Sequence, residues 1–342
     1  MTRTLVLSDI PHVAFWLLRH SATKYGKVLP FALPLRRRPH VVELELTNDC
    51  DIDCGFCYRT RMTRPVGYMA RETLLRIADE IAGWRYCVVR LVGVGEPALH
   101  PDFADLLGIL RDRCIPVEVT TNGRLFQRFT PEQILDLRIH TIGVSVDGYD
   151  AASYNKLRRG GDHDRLLADV TAFATVRRRL GHAHPWIVIR NVLLPAAEFR
   201  DPARIAAFKR RWSTVSDRIR FNTLEKPRDE IHDTGRVCDD IFYTMHVRWD
   251  GRVPLCGYHQ LYAAQEWMGE VGQASLESIW HAARWDEVRH NHISGDLATS
   301  PFCRRCFTQQ CQKRIKTNQR DHNWNAGGAI AWLERQAWRL VR

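Results

Sequence analysis

The 342-residue sequence contains no long hydrophobic run. Its N-terminal apolar stretch, VAFWLL, covers only residues 13–18 and is followed by Arg19 and His20. A membrane-spanning helix needs about 20 apolar residues, and a signal peptide needs an apolar core of about 7–15. The sequence therefore predicts neither a membrane span nor a secretory signal, and we expect a cytoplasmic protein.

The sequence also lacks the cysteine arrangement of a secreted disulfide framework. It has ten cysteines, but the chain is long and the cysteines cluster in short CxxC-type spacings. Disulfide-dense secreted domains are usually much smaller. In a cytoplasmic protein such thiols stay reduced and are available to bind metal.

Acidic residues are outnumbered by basic ones: 39 Asp and Glu stand against 50 Lys and Arg, which gives a formal net charge of +11. Such a balance favours anionic partners, namely phosphate, nucleotide, lipid headgroup or RNA, although an arginine-rich solvated surface gives the same count. An aromatic RNP stretch and a GxxG loop are both missing, so we expect no nucleic-acid partner. The basic, aromatic residues 1–40 and the segment AIAWLERQAWRLVR at the C-terminus leave peripheral membrane contact open, with a docked terminal helix as the ordinary alternative.

Between these ends, β-rich runs alternate with helical patterns. The predicted strands are 41–47, 87–94, 117–121, 141–147, 186–194 and 218–224, and the predicted helices are 71–84, 102–113, 131–137, 164–180 and 202–212. This order predicts an α/β fold with a parallel sheet, and six units predict a partial (βα)6 barrel. The pattern ends near Pro227, where a small Cys-rich C-terminal domain is expected. We divide the chain into 1–40, 41–226, 227–315 and a helical tail, 316–342.

Three cysteines, Cys50, Cys54 and Cys57, follow the first predicted strand within eight residues, in the pattern C-x3-C-x2-C. Carboxyl ends of parallel strands usually carry the chemistry of such folds. Thiolates suit iron–sulfur clusters or zinc. A structural zinc site needs four protein ligands, and the next histidine is His100, so an incomplete cage with one open position is favoured.

This motif, with the aromatic Phe56 before its last cysteine, resembles that of radical S-adenosylmethionine (SAM) enzymes. The resemblance implies a 4Fe–4S cluster on the three cysteines, with SAM bound to the fourth iron. It also implies a partial barrel of the radical SAM type, and reductive cleavage of SAM to a 5′-deoxyadenosyl radical that takes hydrogen from a substrate carbon. An external donor such as flavodoxin or ferredoxin would supply the electron.

Further stretches at successive strand ends match the family's SAM-binding motifs: VGVGEP, TTNG, SVDG and YNKLRRGG. Each motif alone is most often a turn. By resemblance, the residues implied to contact SAM are Gly95, Glu96, Pro97, Asn122, Ser145, Asp147, Arg158 and Val192. Glycine allows close approach of the backbone, and the Arg158 guanidinium suits the SAM carboxylate.

A second cysteine set lies in the C-terminal region. Cys238, Gly251 and Cys256 resemble the C-x(9–15)-G-x4-C opening of SPASM and twitch domains, with a β-hairpin turn at Asp250-Gly251. With Cys303 and Cys306 they imply one auxiliary 4Fe–4S cluster, as in the butirosin-pathway dehydrogenase type, although a zinc ribbon has similar spacings. Cys311 is unassigned and is a candidate hydrogen donor. Cys87 and Cys114 are predicted to be buried apolar residues.

A closed auxiliary cluster can accept an electron but cannot bind substrate, which favours two-electron oxidation. We expect a small-molecule substrate such as a sugar or cyclitol; the basic charge and the aromatic, basic termini leave an anionic or lipid-linked one open. About 40 residues before the first strand are too few for a peptide-binding winged helix. The alternatives are a radical epimerase that uses Cys311, a ribosomal-peptide maturase and, remotely, a non-catalytic iron–sulfur protein.

Overall fold

The computed structural model describes residues 38–84, 87–194, 201–223, 238, 240–261, 267–294 and 303. Most of the predicted N-terminal extension, the C-terminal tail, Cys306 and Cys311 lie outside the described residues. The described residues form two compact units: residues 40–223 with 243–282, and residues 38–39, 238–242 and 283–303. The domain division proposed above stays a prediction.

The first unit is built on a seven-stranded parallel sheet. Its strands are Val41–Leu44 (β1), Val88–Leu91 (β2), Val117–Thr121 (β3), Thr141–Ser145 (β4), Trp186–Leu193 (β5), Arg218–Thr223 (β6) and Thr244–Val247 (β7). They are hydrogen-bonded in the order β6-β5-β4-β3-β2-β1-β7. All six predicted strands are present and parallel, so the predicted α/β class is confirmed.

The seventh strand, β7, was not predicted. It pairs in parallel with β1, with Val41 opposite Thr244 and Leu44 opposite Val247, and all four of its residues are buried. An unpaired β1 would present a row of free backbone groups at the sheet edge, and β7 covers them. A segment assigned to the small C-terminal domain therefore completes the main sheet.

Helices connect successive strands of this sheet. They are Arg71–Ile81 (α1), Phe103–Asp112 (α2), Arg124–Arg128 (α3), Pro131–Asp136 (α4), Ala151–Leu157 (α5), His163–Arg179 (α6) and Pro202–Trp212 (α7). Local sequence explains several starts: Thr130 and Gln133 form a capping box around Pro131, and Asp150 and Ser153 form another. The five predicted helices are confirmed; α3 and α5 are too short to show an apolar period and were missed.

The two faces of the sheet differ in polarity. Residues at alternate strand positions share a face. Val42, Leu44, Val89 and Leu91 are fully buried and form the core together with apolar helix residues such as Leu74. The other alternate positions carry charged and polar side chains among apolar ones such as Val41 and Val88, and we call this the charged face.

Shorter elements complete the two units. They are the strand pair Asp53–Cys54 with Arg158–Arg159, the strand pair Arg252–Val253 with Gly269–Glu270, the 3-10 helices Tyr58–Arg61, Pro97–Leu99 and His259–Leu261, and the helices Asp240–Tyr243, Leu276–Trp280 and Ala283–Ser294. The predicted turn at Asp250-Gly251 is present, because the Gly251 N–H donates to Arg248 O at 3.0 Å with φ of 81°. The Arg248 N–H donates to Arg252 O at 3.0 Å and closes the predicted hairpin, and the strand after the turn, Arg252–Val253, pairs with Gly269–Glu270.

The two isolated cysteines differ. Cys87 is buried, as predicted. The prediction for Cys114 is wrong, because its side chain is exposed at the turn that ends α2. There the backbone has φ of 56° and the Cys114 N–H donates to Arg111 O, so the residue belongs to a surface turn and not to the neighbouring strand. Within the described ranges, no helix is both long and apolar enough to span a bilayer.

Candidate functional site

The loop after β1 holds the cysteine triad, Cys50, Cys54 and Cys57, and all three thiols are half-buried. Cys54 lies in the short strand that pairs with Arg158, and the Cys57 N–H donates to Cys54 O at 3.0 Å. Phe56, also half-buried, occupies the turn between them. The Cys57 Sγ also accepts from the Arg59 N–H at 3.4 Å, so backbone hydrogen bonds and this cap together fix the spacing of the thiols.

The electrostatics of the triad favour a bound cation. Burial raises the pKa of Cys54 to about 11, the nearby Arg158 opposes this rise, and the other two thiols add to it. Burial also raises the pKa of Cys50. Three neighbouring thiolates are thus unfavourable on their own, and a metal centre supplies the positive charge that ionises them.

Three thiolates on one loop suit an iron–sulfur cluster. Across the described part of the chain, no three His, Cys, Asp or Glu side chains converge closely enough to hold one metal ion. In a 4Fe–4S cluster each thiolate binds a different iron, so the sulfur atoms need not meet at one point. The residues present therefore fit a cluster with three protein ligands.

The GEP stretch after β2 packs directly on the loop of the triad. A Cβ atom at Gly95 would lie 2.4 Å from Thr47 O and 2.5 Å from Asp49 O, so any other residue would push the two backbones apart. The Glu96 N–H donates to Asp49 O at 2.7 Å, and Pro97 opens a 3-10 helix. Glycine here keeps the two loops in contact.

The Glu96 side chain connects this loop to the one after β3. Its carboxylate accepts hydrogen bonds from Thr121 Oγ1 at 2.9 Å, from the Asn122 N–H at 2.6 Å and from the Ala98 N–H at 3.1 Å. Burial raises the pKa of Glu96 to about 7, although these hydrogen bonds lower it. Since a carboxylate has about four acceptor sites, about one remains for a ligand.

Asn122 reaches from the same loop towards the triad. Its side-chain Nδ2 lies 3.8 Å from Cys50 Sγ and donates to Asp51 Oδ1 at 3.0 Å. Its Oδ1 accepts from the Arg124 N–H at 3.0 Å. Glu96, Asn122 and Cys50 are therefore joined across three loops.

A second connection runs through Asp147, which follows β4. Its Oδ2 accepts from Arg158 Nε at 2.6 Å and its Oδ1 accepts from the Val192 N–H at 2.7 Å. Burial disfavours the charge of Arg158, but Asp147, Cys54 and Tyr154 together outweigh burial and raise the pKa of Arg158. Ser145, at the end of β4, is half-buried. Arg158 is thus held by Nε, and among the described residues its terminal nitrogens donate no further hydrogen bond.

A row of buried and half-buried ionisable side chains on the charged face was not predicted. We call it the charged row; its members are Glu43 (β1), Arg90 (β2), Glu118 (β3), Arg190 (β5), Arg220 (β6) and His246 (β7). Arg90 donates to Glu43 at 2.5 Å and to Glu118 at 3.2 Å, and His246 Nδ1 lies 3.1 Å from Glu43. The signal was a single charged or ionisable residue inside otherwise apolar strands, as in VVEL, VVRL and TMHV.

The second cysteine set is only partly described. Cys256, in the first unit, is buried beyond the Asp250-Gly251 turn. In the second unit, Cys303 is buried and Cys238 is half-buried, with its N–H donating to His292 Nδ1 at 3.4 Å. Their assignment to one cluster stays a prediction.

Two family models match this chain, one over the domain that holds the triad and one over the second cysteine set. Residues 44–176 match the model of the radical SAM superfamily, and residues 238–307 match that of the SPASM iron–sulfur cluster-binding domain. The chain is 23% identical, over 81% of its length and 90% of the relative, to the tungsten-containing aldehyde ferredoxin oxidoreductase cofactor-modifying protein of Pyrococcus furiosus.

Two solved structures share the fold. BtrN, solved with AdoMet and 2-DOIA, has a TM-score of 0.55 and 15% identity, with 78% of this chain and 92% of BtrN covered. SuiB of Streptococcus suis, solved with the precursor peptide SuiA, has a TM-score of 0.55 and 16% identity, with 73% of this chain and 66% of SuiB covered. The chain therefore contains a radical SAM domain followed by a SPASM domain, which together imply SAM and 4Fe–4S clusters as its cofactors.

Proposed function

We propose that the protein oxidises a small molecule by two electrons, with hydrogen abstraction from a substrate carbon as the first step. The cluster on the triad, when bound, supplies the electron that cleaves SAM to methionine and a 5′-deoxyadenosyl radical. The observation that carries the proposal is the pair of connections at the strand ends, one through Glu96 and Asn122 to Cys50 and one through Asp147 to Arg158.

The polar groups of this site suit the two ends of an amino acid. Arg158 offers terminal N–H donors to the SAM carboxylate, since only its Nε is used by Asp147. Glu96 keeps acceptor capacity for the SAM ammonium. Val192 and Ser145 border the same strand ends, where we place the nucleoside.

Oxidation differs from epimerisation in what happens to the substrate radical, which in an oxidation loses a further electron. After the substrate gives one hydrogen atom to form 5′-deoxyadenosine, it must lose one proton and one electron to form the oxidised product. We assign the electron to the auxiliary cluster on Cys238, Cys256, Cys303 and Cys306. Four thiolates close such a cluster, so that it transfers electrons without binding substrate.

Peptide modification is the second candidate. The fold shared with SuiB, whose structure contains a precursor peptide, favours it. An epimerase would instead need a thiol that donates hydrogen to the substrate radical, and Cys311 is the predicted donor.

Anaerobic reconstitution followed by mass spectrometry tests the proposal. We expect release of 5′-deoxyadenosine with SAM and reductant, and loss of this release in Cys54→Ala. The exposed Cys114→Ser is the matched control and should behave as the parent protein. A parent protein that holds both clusters but never releases 5′-deoxyadenosine would favour a non-catalytic iron–sulfur protein.

A product two electrons more oxidised than its substrate separates dehydrogenation from epimerisation. Turnover that persists in Cys311→Ala excludes that thiol as hydrogen donor. A product that retains the oxidation level of the substrate and carries solvent deuterium at the abstracted position would instead support the epimerase.

A further inference from the structure

Arg190, in the middle of β5, is a cation of the charged row without a partner. Its side chain is half-buried, and its Nε is enclosed but has no hydrogen-bond partner. Among the residues that the structure describes, its guanidinium makes no ion pair or hydrogen bond. An enclosed guanidinium nitrogen without an acceptor is unusual, because buried polar groups are ordinarily hydrogen-bonded.

The neighbouring carboxylates do not satisfy Arg190. Glu43 and Glu118 both accept from Arg90, and Glu43 also contacts His246. Burial lowers the pKa of Arg190, and the like charge of Arg90 lowers it further, against the attraction of the two carboxylates. The charged row therefore holds three guanidinium groups for two carboxylates, and the excess positive charge lies on the side of Arg190.

The neighbouring strand makes room for this guanidinium. A Cβ atom at Gly143 of β4 would lie 2.5 Å from Arg190 Nε and 3.0 Å from its Cζ. Gly143 has no positive φ that would require glycine, so the absence of its side chain serves this close approach. The guanidinium therefore lies against the backbone of β4 in a cradle that any larger residue would fill.

The position of Arg190 relates it to the proposed SAM site. Val192, whose N–H is bound by Asp147, lies two residues further along the same strand and on the same face. At about 3.3 Å per residue the two Cα atoms are about 7 Å apart. The Arg190 carbonyl accepts from the Val146 N–H at 2.8 Å, so its backbone is fixed to the segment that leads into Asp147.

We propose that Arg190 anchors an oxyanion of the substrate, a carboxylate or a phosphate, on the charged face below the SAM site. The inference rests on the proposed function for the identity of the reacting molecule. It adds a substrate class, small molecules whose anionic group lies several ångströms from the carbon that loses hydrogen. The guanidinium fork suits both oxyanions, and occupancy would neutralise the unpaired charge.

Anion binding to the reconstituted full-length protein tests this without turnover. Inorganic phosphate and acetate are titrated separately by isothermal calorimetry into the parent protein, Arg190→Gln, Gly143→Ala and the control Arg179→Gln. Arg179 is an exposed arginine of α6. We expect one saturable anion site whose affinity falls about tenfold or more in Arg190→Gln and is unchanged in Arg179→Gln. The anion that binds more tightly identifies the oxyanion.

Gly143→Ala separates the site from a general loss of positive charge. It keeps Arg190 but crowds its guanidinium, so we expect weaker anion binding with the net charge unchanged. If thermal melts show that Arg190→Gln is unfolded, anion affinity in Gly143→Ala tests the inference in its place. Equal affinity in the parent protein and in both site variants, or no saturable site in the parent protein, overturns the inference.

Release of 5′-deoxyadenosine, measured on the same preparations, distinguishes the two proposals. Release without an anion site that depends on Arg190 overturns this inference alone. An Arg190-dependent anion site in a protein that never cleaves SAM overturns the proposed function alone.

Discussion

Replacement of Arg158 separates a structural role from a role in SAM binding. Its Nε donates to Asp147 at 2.6 Å, and the Asp147 side chain is only 1% exposed. Removing one partner of a buried ion pair costs about 3–5 kcal/mol, because the other charge is left uncompensated. In Arg158→Gln the new amide can still donate to Asp147, so we expect the free energy of unfolding to fall by about 3 kcal/mol, the low end of this range.

The loss of SAM affinity is a separate quantity. A hydrogen bond to a charged group contributes about 1.5–3 kcal/mol, which corresponds to a dissociation constant weakened about 10- to 150-fold. Arg158→Lys keeps the positive charge beside Asp147 but cannot present two parallel N–H donors to a carboxylate. We therefore expect Arg158→Lys to keep most of the stability and to lose at least about tenfold in SAM affinity.

The assay measures both quantities on anaerobically reconstituted protein. Thermal melts report stability, where a change of about 1 kcal/mol shifts the midpoint by about 2–4 °C in a chain of 150–250 residues, and by less in this longer one. Equilibrium dialysis with labelled SAM reports affinity. If Arg158→Gln binds SAM as the parent protein does while remaining folded, the assignment of this guanidinium to the SAM carboxylate is wrong.

The remaining predictions concern the clusters and the buried charges. Alanine at all three triad positions should lower the iron content from about eight to about four per chain, and about four in the parent protein would contradict an auxiliary cluster. Arg64→Met should lower the free energy of unfolding by about 3–5 kcal/mol, because it leaves the buried Glu45 carboxylate without its ion-pair partner. The exposed Arg179→Gln should change it by less than about 1 kcal/mol; urea unfolding measures both. Burial opposes the charge of Glu43, but His246 and Arg90 lower its pKa from 4.5 to about 2. Glu43→Gln should therefore lower the free energy of unfolding by about 3 kcal/mol at pH 7. Because the folded pKa is the lower one, this gap should narrow as the pH falls below about 4.5, and a gap that is constant between pH 7 and pH 3.5 would refute it.

The sequence alone located the loops that the structure brings together, because each depends on a short stretch of chain; SAM contact by their residues stays a prediction. The triad lies within eight residues, and each SAM-site motif directly follows a strand whose apolar run is easy to recognise. A parallel sheet brings these strand ends to one edge, so the loops could be grouped before the structure was known. The shared bonds from Glu96 and Asp147 to neighbouring loops could not be foreseen, because they depend on side-chain direction.

The sequence did not predict strand pairing between distant parts of the chain. β7 joins β1 across some two hundred residues, and the four residues TMHV give no signal that distinguishes a strand of the main sheet from one of a small appended domain. The exposed Cys114 was missed for a related reason: the end of α2 was predicted too loosely to show that this residue belongs to its terminal turn. Both errors concern where an element ends or pairs, which tertiary contacts decide.

The charged row gives the strongest argument that the charged face is a binding surface. In closed eight-stranded barrels the corresponding interior is packed with branched apolar side chains. Here five of the seven strands place a Glu or Arg at that face and a sixth places His246, although buried ion pairs are often no more stable than apolar packing of the same volume. Glu43, Arg90 and Glu118 satisfy one another, whereas Arg190 has no partner in the described part of the chain and is given room by Gly143. A face built only for stability would pair that last cation or omit it, so the unpaired guanidinium is most simply explained by an anion that binds there.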